Sequence, residues 1–369
     1  MIETKTAGPS PVLLVARELG VGGSERQLAE TALALDRDRF QPHVACFTAG
    51  GFRAHELADA GVPVLELGVQ SLVTPSAFAA ARRLGQYVAR HGIQLVHSFD
   101  VPSVLFAVPA ARFFRVPAVL ASQRADRDLA PRFQRHLLRL TDRIADAIVV
   151  NSQSVARQLA AEDGVPPFMI RLAYNGLDTE VFRREGARVE IPSGGAAVTI
   201  GVICALRPEK GLHVLLDAFA KVRGANLLIV GSGPALGELE ARARVLGLGG
   251  ECRFQPEVPN VEEWLRAIDV FVLPSLSEAL SNSLLEAMGC GCCPIASDVG
   301  GNPELITDGE TGLLFPAGDV DALAGRLRLV LNDPALRMRL GAAAEQRAHR
   351  DFAREAAARR MGEIYREFL

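Results

Sequence analysis

Short apolar runs alternate with helix-length amphipathic stretches along the whole chain. The first run covers 12–16, and a helical pattern opens near Ser24. Runs at 44–47, 95–99, 118–121 and 147–150 follow, with helical patterns at 52–60, at 75–91 and in the later gaps. This alternation predicts parallel sheet with crossover helices. From 183 to 197 the pattern breaks into charged sequence with proline and glycine, which reads as a linker. It restarts with runs at 198–204, 227–230, 252–254, 270–273 and 294–296. The chain therefore reads as α/β, with doubly wound Rossmann-like domains at 11–182 and 198–347 and a C-terminal helix at 348–369.

With 49% hydrophobic residues over 369 positions there is apolar material for two cores, which excludes a disordered chain. No run approaches the ~18 apolar residues of a membrane span. No apolar segment follows the polar N-terminus in the manner of a secretory signal, so a cytoplasmic location is expected. A net charge of −3 argues against a dedicated nucleic-acid binder. Cys290, Cys292 and Cys293 cluster, yet no histidine is near and adjacent extended residues face opposite ways. They read as small buried thiols, and no metal site is expected. Of forty basic residues only Lys5, Lys210 and Lys221 are lysine, which draws attention to Lys210 in its glycine-bounded loop.

Four segments have the makings of a ligand site. The first run leads into Gly20-Val21-Gly22-Gly23, where glycines admit a close ligand and a helix N-terminus follows. Ser24 and Gln27 have capping-box spacing, and a plain tight turn is the alternative. The run at 198–204 leads into Arg207-Pro208-Glu209-Lys210-Gly211 at the carboxyl edge of the predicted sheet. Arginine as a fork and lysine as a point charge suit a diphosphate there. Gly231-Ser232-Gly233-Pro234 is a weak dinucleotide fingerprint, because no acidic residue ends the next run, but a reasonable pocket wall. In the fourth segment, 277–288, Glu278 lies in a polar loop and Glu286 in the first turns of a helix opening near 281–283. Carboxylates accept from sugar and ribose hydroxyls, and the amides of Asn282, Ser283 and Leu284 can take a phosphate. Ser283 and Glu286 also have capping-box spacing, which would occupy Glu286 locally.

The spacing Glu278-x7-Glu286, then Gly289-Cys290-Gly291 and Val299-Gly300-Gly301-Asn302-Pro303-Glu304-Leu305, resembles the retaining glycosyltransferases of family 4. Gly22-Gly23, Asn175-Gly176-Leu177-Asp178, the Arg207–Gly211 loop, the Gly231 loop and Asp308-Gly309-Glu310-Thr311-Gly312 agree in order and spacing. The resemblance implies the GT-B fold: two Rossmann-like domains facing each other across a cleft, with C-terminal helices packing back toward the N-terminal one. It implies a hexosyl-type transferase that moves sugar from a nucleoside-diphosphate donor to a glycan or lipid-linked precursor, retaining anomeric configuration and needing neither cofactor nor metal. By motif position Arg207 and Lys210 would bind the diphosphate, Glu286 the ribose and Glu278 the donor sugar. Gly231 and Gly233 would line the donor pocket, and Gly22 and Gly23 would approach the phosphates from the opposite domain.

Two positions depart from the family pattern. Phe99 stands where a second histidine is usual, which leaves His97 and Asp100 as candidates, and Ala205 stands where an arginine is common. A nucleotide-sugar-binding protein without transfer activity is therefore the alternative. The stretch 124–143, rich in arginine with interleaved Phe133, Leu137, Leu138 and Leu140, reads as an amphipathic helix. It is the expected place of any peripheral contact with the inner face of a membrane, the alternative being a solvated surface.

Overall fold

In the computed structural model, which describes residues 8–20, 22–191 and 198–369, the chain forms two units. The first runs to Gly176 and takes in Arg354–Leu369, and the second is Leu177–Ala353. The first sheet holds β1 Ser10–Ala16, β2 Phe40–Cys46, β3 Val64–Glu66, β4 Leu95–Ser98, β5 Ala118–Gln123, β6 Ala147–Val150 and β7 Ile170–Leu172. Its spatial order is β3-β2-β1-β4-β5-β6-β7. The second holds β8 Val198–Ile203, β9 Ala225–Val230, β10 Cys252–Gln255, β11 Val270–Leu273, β12 Cys293–Ser297 and β13 Leu313–Phe315, in the order β10-β9-β8-β11-β12-β13. Among the described residues the strands of both sheets pair in parallel, as between β1 and β4 or β8 and β11. In each sheet the order reverses beside its first strand. Loops leaving the carboxyl ends there diverge and open a crevice, the usual ligand position of this topology.

Helices cover both faces of these sheets, so strands such as Val270–Leu273 and Ala147–Val150 are apolar throughout rather than alternating. On one face of the first sheet Leu14, Leu120, Phe99, Val149 and Tyr365 share a core. Leu13, Val96, Val119 and Leu138 share another on the opposite face. Each such side chain contributes about 1.5–3 kcal/mol by leaving water. The helix Pro75–His91 is fixed by proline in its first turn and by left-handed Gly92 at its end.

The units divide after Gly176, ahead of the stretch expected to be the linker, whose residues 192–197 lie outside those described. The tail also divides. Helix Pro334–Asp351 stays in the second unit against Asn282–Gly289 and β12, while Arg354–Arg366 belongs to the first. There Gly362 leaves room for the Phe40 ring, and Tyr365 meets that ring edge-on at 5.9 Å. The expected helix over 124–143 is shorter, Arg132–Asp142, preceded by a tight turn at Arg127–Leu129.

Candidate functional site

The second unit's crevice is built by two loops tied backbone to backbone. Gly211, at φ 62°, starts helix Leu212–Phe219, and a side chain there would run into the Pro274 carbonyl. Two residues along each loop, Leu276 N–H donates to the Glu209 carbonyl at 2.8 Å. With the loops so fixed, Lys210 Nζ donates to Glu278 Oε2 at 2.6 Å, and Ser275 Oγ donates to the same oxygen at 3.2 Å. Burial works to lower the Lys210 pKa, but the charge and hydrogen bond of Glu278 outweigh it, so the ammonium is held above its ordinary value. Both side chains keep an open edge, at 19% and 12% exposure. Arg207, three residues earlier on the same loop as Lys210, has 63% of its side chain exposed and Glu209 4.0 Å away.

The glycine-rich segment after β12 shapes this loop. Gly300 is left-handed at φ 55°, and a Cβ there would occupy the position of the Glu278 carbonyl oxygen. Ser297 Oγ donates to the Ser275 carbonyl at 2.6 Å, and Asn302 Nδ2 to the Ser297 carbonyl at 3.0 Å. Sequence reading missed Ser275 and Ser297, single serines with no motif to mark them. Gly231 and Gly233, at φ 142° and 156°, lie against the carbonyls of Cys204 and Leu206. Loop packing accounts for both.

The helix expected near 281–283 is Asn282–Gly289, capped by Ser281, whose Oγ accepts from Leu284 N–H at 3.2 Å. This corrects two expectations. The cap is not Ser283, so Ser283 and Glu286 form no capping box: Glu286 lies two residues beyond Leu284, the position that would complete one. The Leu284 amide serves the cap and is not offered to a phosphate, which leaves Asn282 and Ser283 in the first turn. Glu286 is buried.

At the first unit's crevice the polar groups are taken up by the fold. His97 is fully buried, with Nδ1 2.8 Å from the Tyr365 hydroxyl and Nε2 2.8 Å from Ser122 Oγ. Burial first, then the Arg124 charge, holds its pKa well below the ordinary value. A neutral ring with both nitrogens engaged and no exposure reaches no ligand, so His97 leaves the candidate set. Asp100 caps helix Val101–Phe113 in a capping box with Ser103, and its second oxygen accepts from Arg17 N–H at 2.6 Å. Burial raises its pKa in spite of these bonds. Asp100 is thus a helix cap, with no oxygen left over from the backbone. Helix Gly23–Ala34 is capped by Gly22 without a side-chain bond, so Ser24 and Gln27 make no capping box. Gly22 leaves room for the Glu25 carboxylate, and Gln27 pairs with both backbone groups of Gly176 at 2.8 and 3.0 Å.

Three of the six arginines in 124–143 pair with carboxylates, one of them in the interior. Arg127 forms a buried fork on Asp142, while Arg139 and Arg135 bond Asp163 and Asp128. Arg132, Phe133, His136, Leu140 and Arg143 are exposed. Cys290, Cys292 and Cys293 are buried, and burial pushes Cys290 and Cys293 up to about 12. Among the described residues no three His, Cys, Asp or Glu side chains gather as a metal site, and no helix is long and apolar enough to cross a membrane.

Residues 21–181 match the family model for Glycosyltransferase Family 4, and 187–347 match that for glycosyl transferases group 1. Sulfoquinovosyl transferase SQD2 of Arabidopsis thaliana is 27% identical over 74% of this chain and 56% of its own. A D-inositol 3-phosphate glycosyltransferase of Kribbella flavida is 31% identical over 55% of this chain and 52% of its own. The matches thus span about half the length of these curated relatives. Among solved structures, Anabaena HepE in complex with UDP-glucose superposes with a TM-score of 0.83 at 20% identity, covering 97% of this chain and 99% of that one. Sucrose-phosphate synthase from Thermosynechococcus elongatus gives 0.82 at 21% identity over 97% and 98%.

Proposed function

Because this chain belongs to glycosyltransferase family 4 and has the GT-B fold, we propose that it transfers a sugar from a nucleoside-diphosphate donor to an acceptor hydroxyl with retention of anomeric configuration. One observation carries the reading: Lys210 and exposed Arg207 lie on one loop at the switch point of the second sheet, with Glu278 on the lysine. When the bond from the anomeric carbon to the diphosphate breaks, charge grows on the leaving oxygens. Two cations there stabilise it. Lys210 can exchange part of its bond with Glu278 for the diphosphate, which leaves the carboxylate for a sugar hydroxyl. Glu286 is proposed for the ribose, and Gly231, Gly233, Asn282 and Ser283 for the pocket wall. No residue is assigned to a metal.

HepE binds UDP and UDP-glucose, which supports a uridine donor here as the first to test. A lipid-linked or glycan precursor remains the proposed acceptor. Peripheral membrane contact is proposed through the exposed Arg132, Phe133, His136, Leu140 and Arg143 alone, since Arg127, Arg135 and Arg139 pair with carboxylates and Arg124 bonds Asn175. Thermal unfolding with UDP, GDP and ADP tests the donor site: one should raise the melting temperature, and no response to any of them overturns it. Sequestration of His97 and the phenylalanine at position 99 favour the second reading, a donor-binding protein without transfer. Turnover of the stabilising nucleotide's sugar conjugate separates the two.

A further inference from the structure

The first sheet carries a cation that the proposed donor chemistry does not use. Arg124 follows directly after β5, as Asn151 follows β6, and the register pairs Gln123 with Val150 at the ends of those strands. The two residues are therefore neighbours at the carboxyl edge. Leu120 and Val149 face the core shared with Phe99 and Tyr365, and alternation places Arg124 and Asn151 on that face too. The Arg124 guanidinium lies 4.9 Å over the Phe99 ring, and one Nη donates to Asn175 Oδ1 at 2.9 Å.

What is missing is an anion. Among the described residues no carboxylate pairs with Arg124, and its Nε is shut off from water without a partner. Burial lowers its pKa to about 10, opposed only by Tyr365. Asn151 is 2% exposed, and its Oδ1, an acceptor, is likewise buried without a partner; a phosphate that keeps one proton can donate to it while its other oxygens accept from Arg124. A guanidinium left this way is costly, and a charge-assisted fork to two oxygens is what relieves it. The side chain is partly exposed, so a ligand can reach its edge. By contrast the nearby Arg127, buried more completely, has the carboxylate of Asp142.

We propose that Arg124, with Asn151 and Asn175, forms an anion subsite at the carboxyl edge of the first sheet that takes a phosphoryl group. That this group belongs to the acceptor rests on the function proposed above; the binding of phosphate does not.

The test is phosphate binding by the full chain at constant ionic strength, followed by calorimetry and melting temperature. Two variants remove the subsite. Arg124→Met deletes the cation, and Asn151→Asp sets a carboxylate beside it with almost no change of shape. Lys210→Ala instead disables the donor site. Phosphate should stabilise the wild type and the Lys210→Ala protein alike, with affinity at least tenfold weaker in both subsite variants. UDP affinity should be unchanged in them. Should Arg124→Met fail to fold, Asn151→Asp decides alone, since it should melt no lower than wild type. No phosphate response in the wild type, or a full response in Asn151→Asp, overturns the subsite. Loss of UDP binding in Lys210→Ala with the phosphate response intact separates the two sites. To identify the source, a soluble hexose phosphate is compared with phosphatidylcholine vesicles with and without phosphatidic acid. An Arg124-dependent response to either supports the subsite and names the carrier, and a response to neither overturns its role toward an acceptor.

Discussion

The two sheets share one strand order through their first six strands, yet their crevices are furnished differently. At the second, Lys210 and Glu278 are opposite charges in direct contact, each with an edge toward solvent. At the first, Asp100 is absorbed by a helix cap and His97 by the core, while Arg124 keeps a positive charge without a counter-ion. Topology fixes where a crevice opens. Which side chains remain available there depends on whether the local backbone claims them first. A carboxylate in a helix-entry loop, such as Asp100, is claimed by amides. One facing a lysine across two zipped loops, such as Glu278, is held ready to exchange.

The largest expected effect breaks the second crevice. Replacing Arg207 and Lys210 together by alanine should weaken UDP by a hundredfold or more, each contact being worth about 1.5–3 kcal/mol. Wild-type affinity in titration calorimetry would remove the diphosphate assignment. Next, Gly300→Ala forces a side chain onto the Glu278 carbonyl from a left-handed backbone. It should cost about 1–3 kcal/mol of stability and slow transfer as well, read from denaturant melts and a turnover assay. If stability falls while transfer by the folded protein is unchanged, the loop does not position Glu278 for the donor sugar.

Two carboxylate variants sharpen the comparison. Glu286→Gln should lower UDP affinity by about tenfold with little change in melting temperature. Glu278→Gln removes the competitor for Lys210, so UDP should bind as well as before or tighter, while transfer falls by about tenfold or more. Equal behaviour of both variants in both assays would dissolve this division of roles. The smallest effect belongs to His97. Its depressed pKa means the unfolded chain binds a proton that the folded chain refuses, so stability should fall as pH drops below 6.5, by at most about 1.4 kcal/mol per unit. His97→Gln should flatten the acid limb of the melting profile, and an unchanged slope would mean that other groups set it.

Much of this was legible in the chain. Runs such as Val270–Leu273 and Ala147–Val150 are apolar from end to end because helices cover both faces of their sheets, and both strands were read at those bounds. β3, β7 and β13 were missed, since three residues at a sheet edge are too short to show a period. The motif spacing brought Arg207, Lys210, Glu278 and Glu286 forward as one group. It also promoted His97 and Asp100, which sequence cannot tell from available side chains. A hydrogen bond to Tyr365, 268 residues away, exists only once the last helix has packed.

Alternation and glycine placement are local properties, and through them the sequence by itself determined the strand series, the two sheets and the loops at their edges. Partnership is not local. Whether Ser281 or Ser283 caps a helix is decided by where the preceding loop lets the backbone turn. Whether an arginine has a counter-ion is decided by which elements the fold brings side by side: Arg127 finds Asp142 at the end of the next helix, and Arg124 finds Asn151 at the edge of the adjacent strand and no carboxylate. Only the tertiary structure could decide that, because charge is compensated through space over a few ångströms, and the chain brings those few ångströms together from positions far apart.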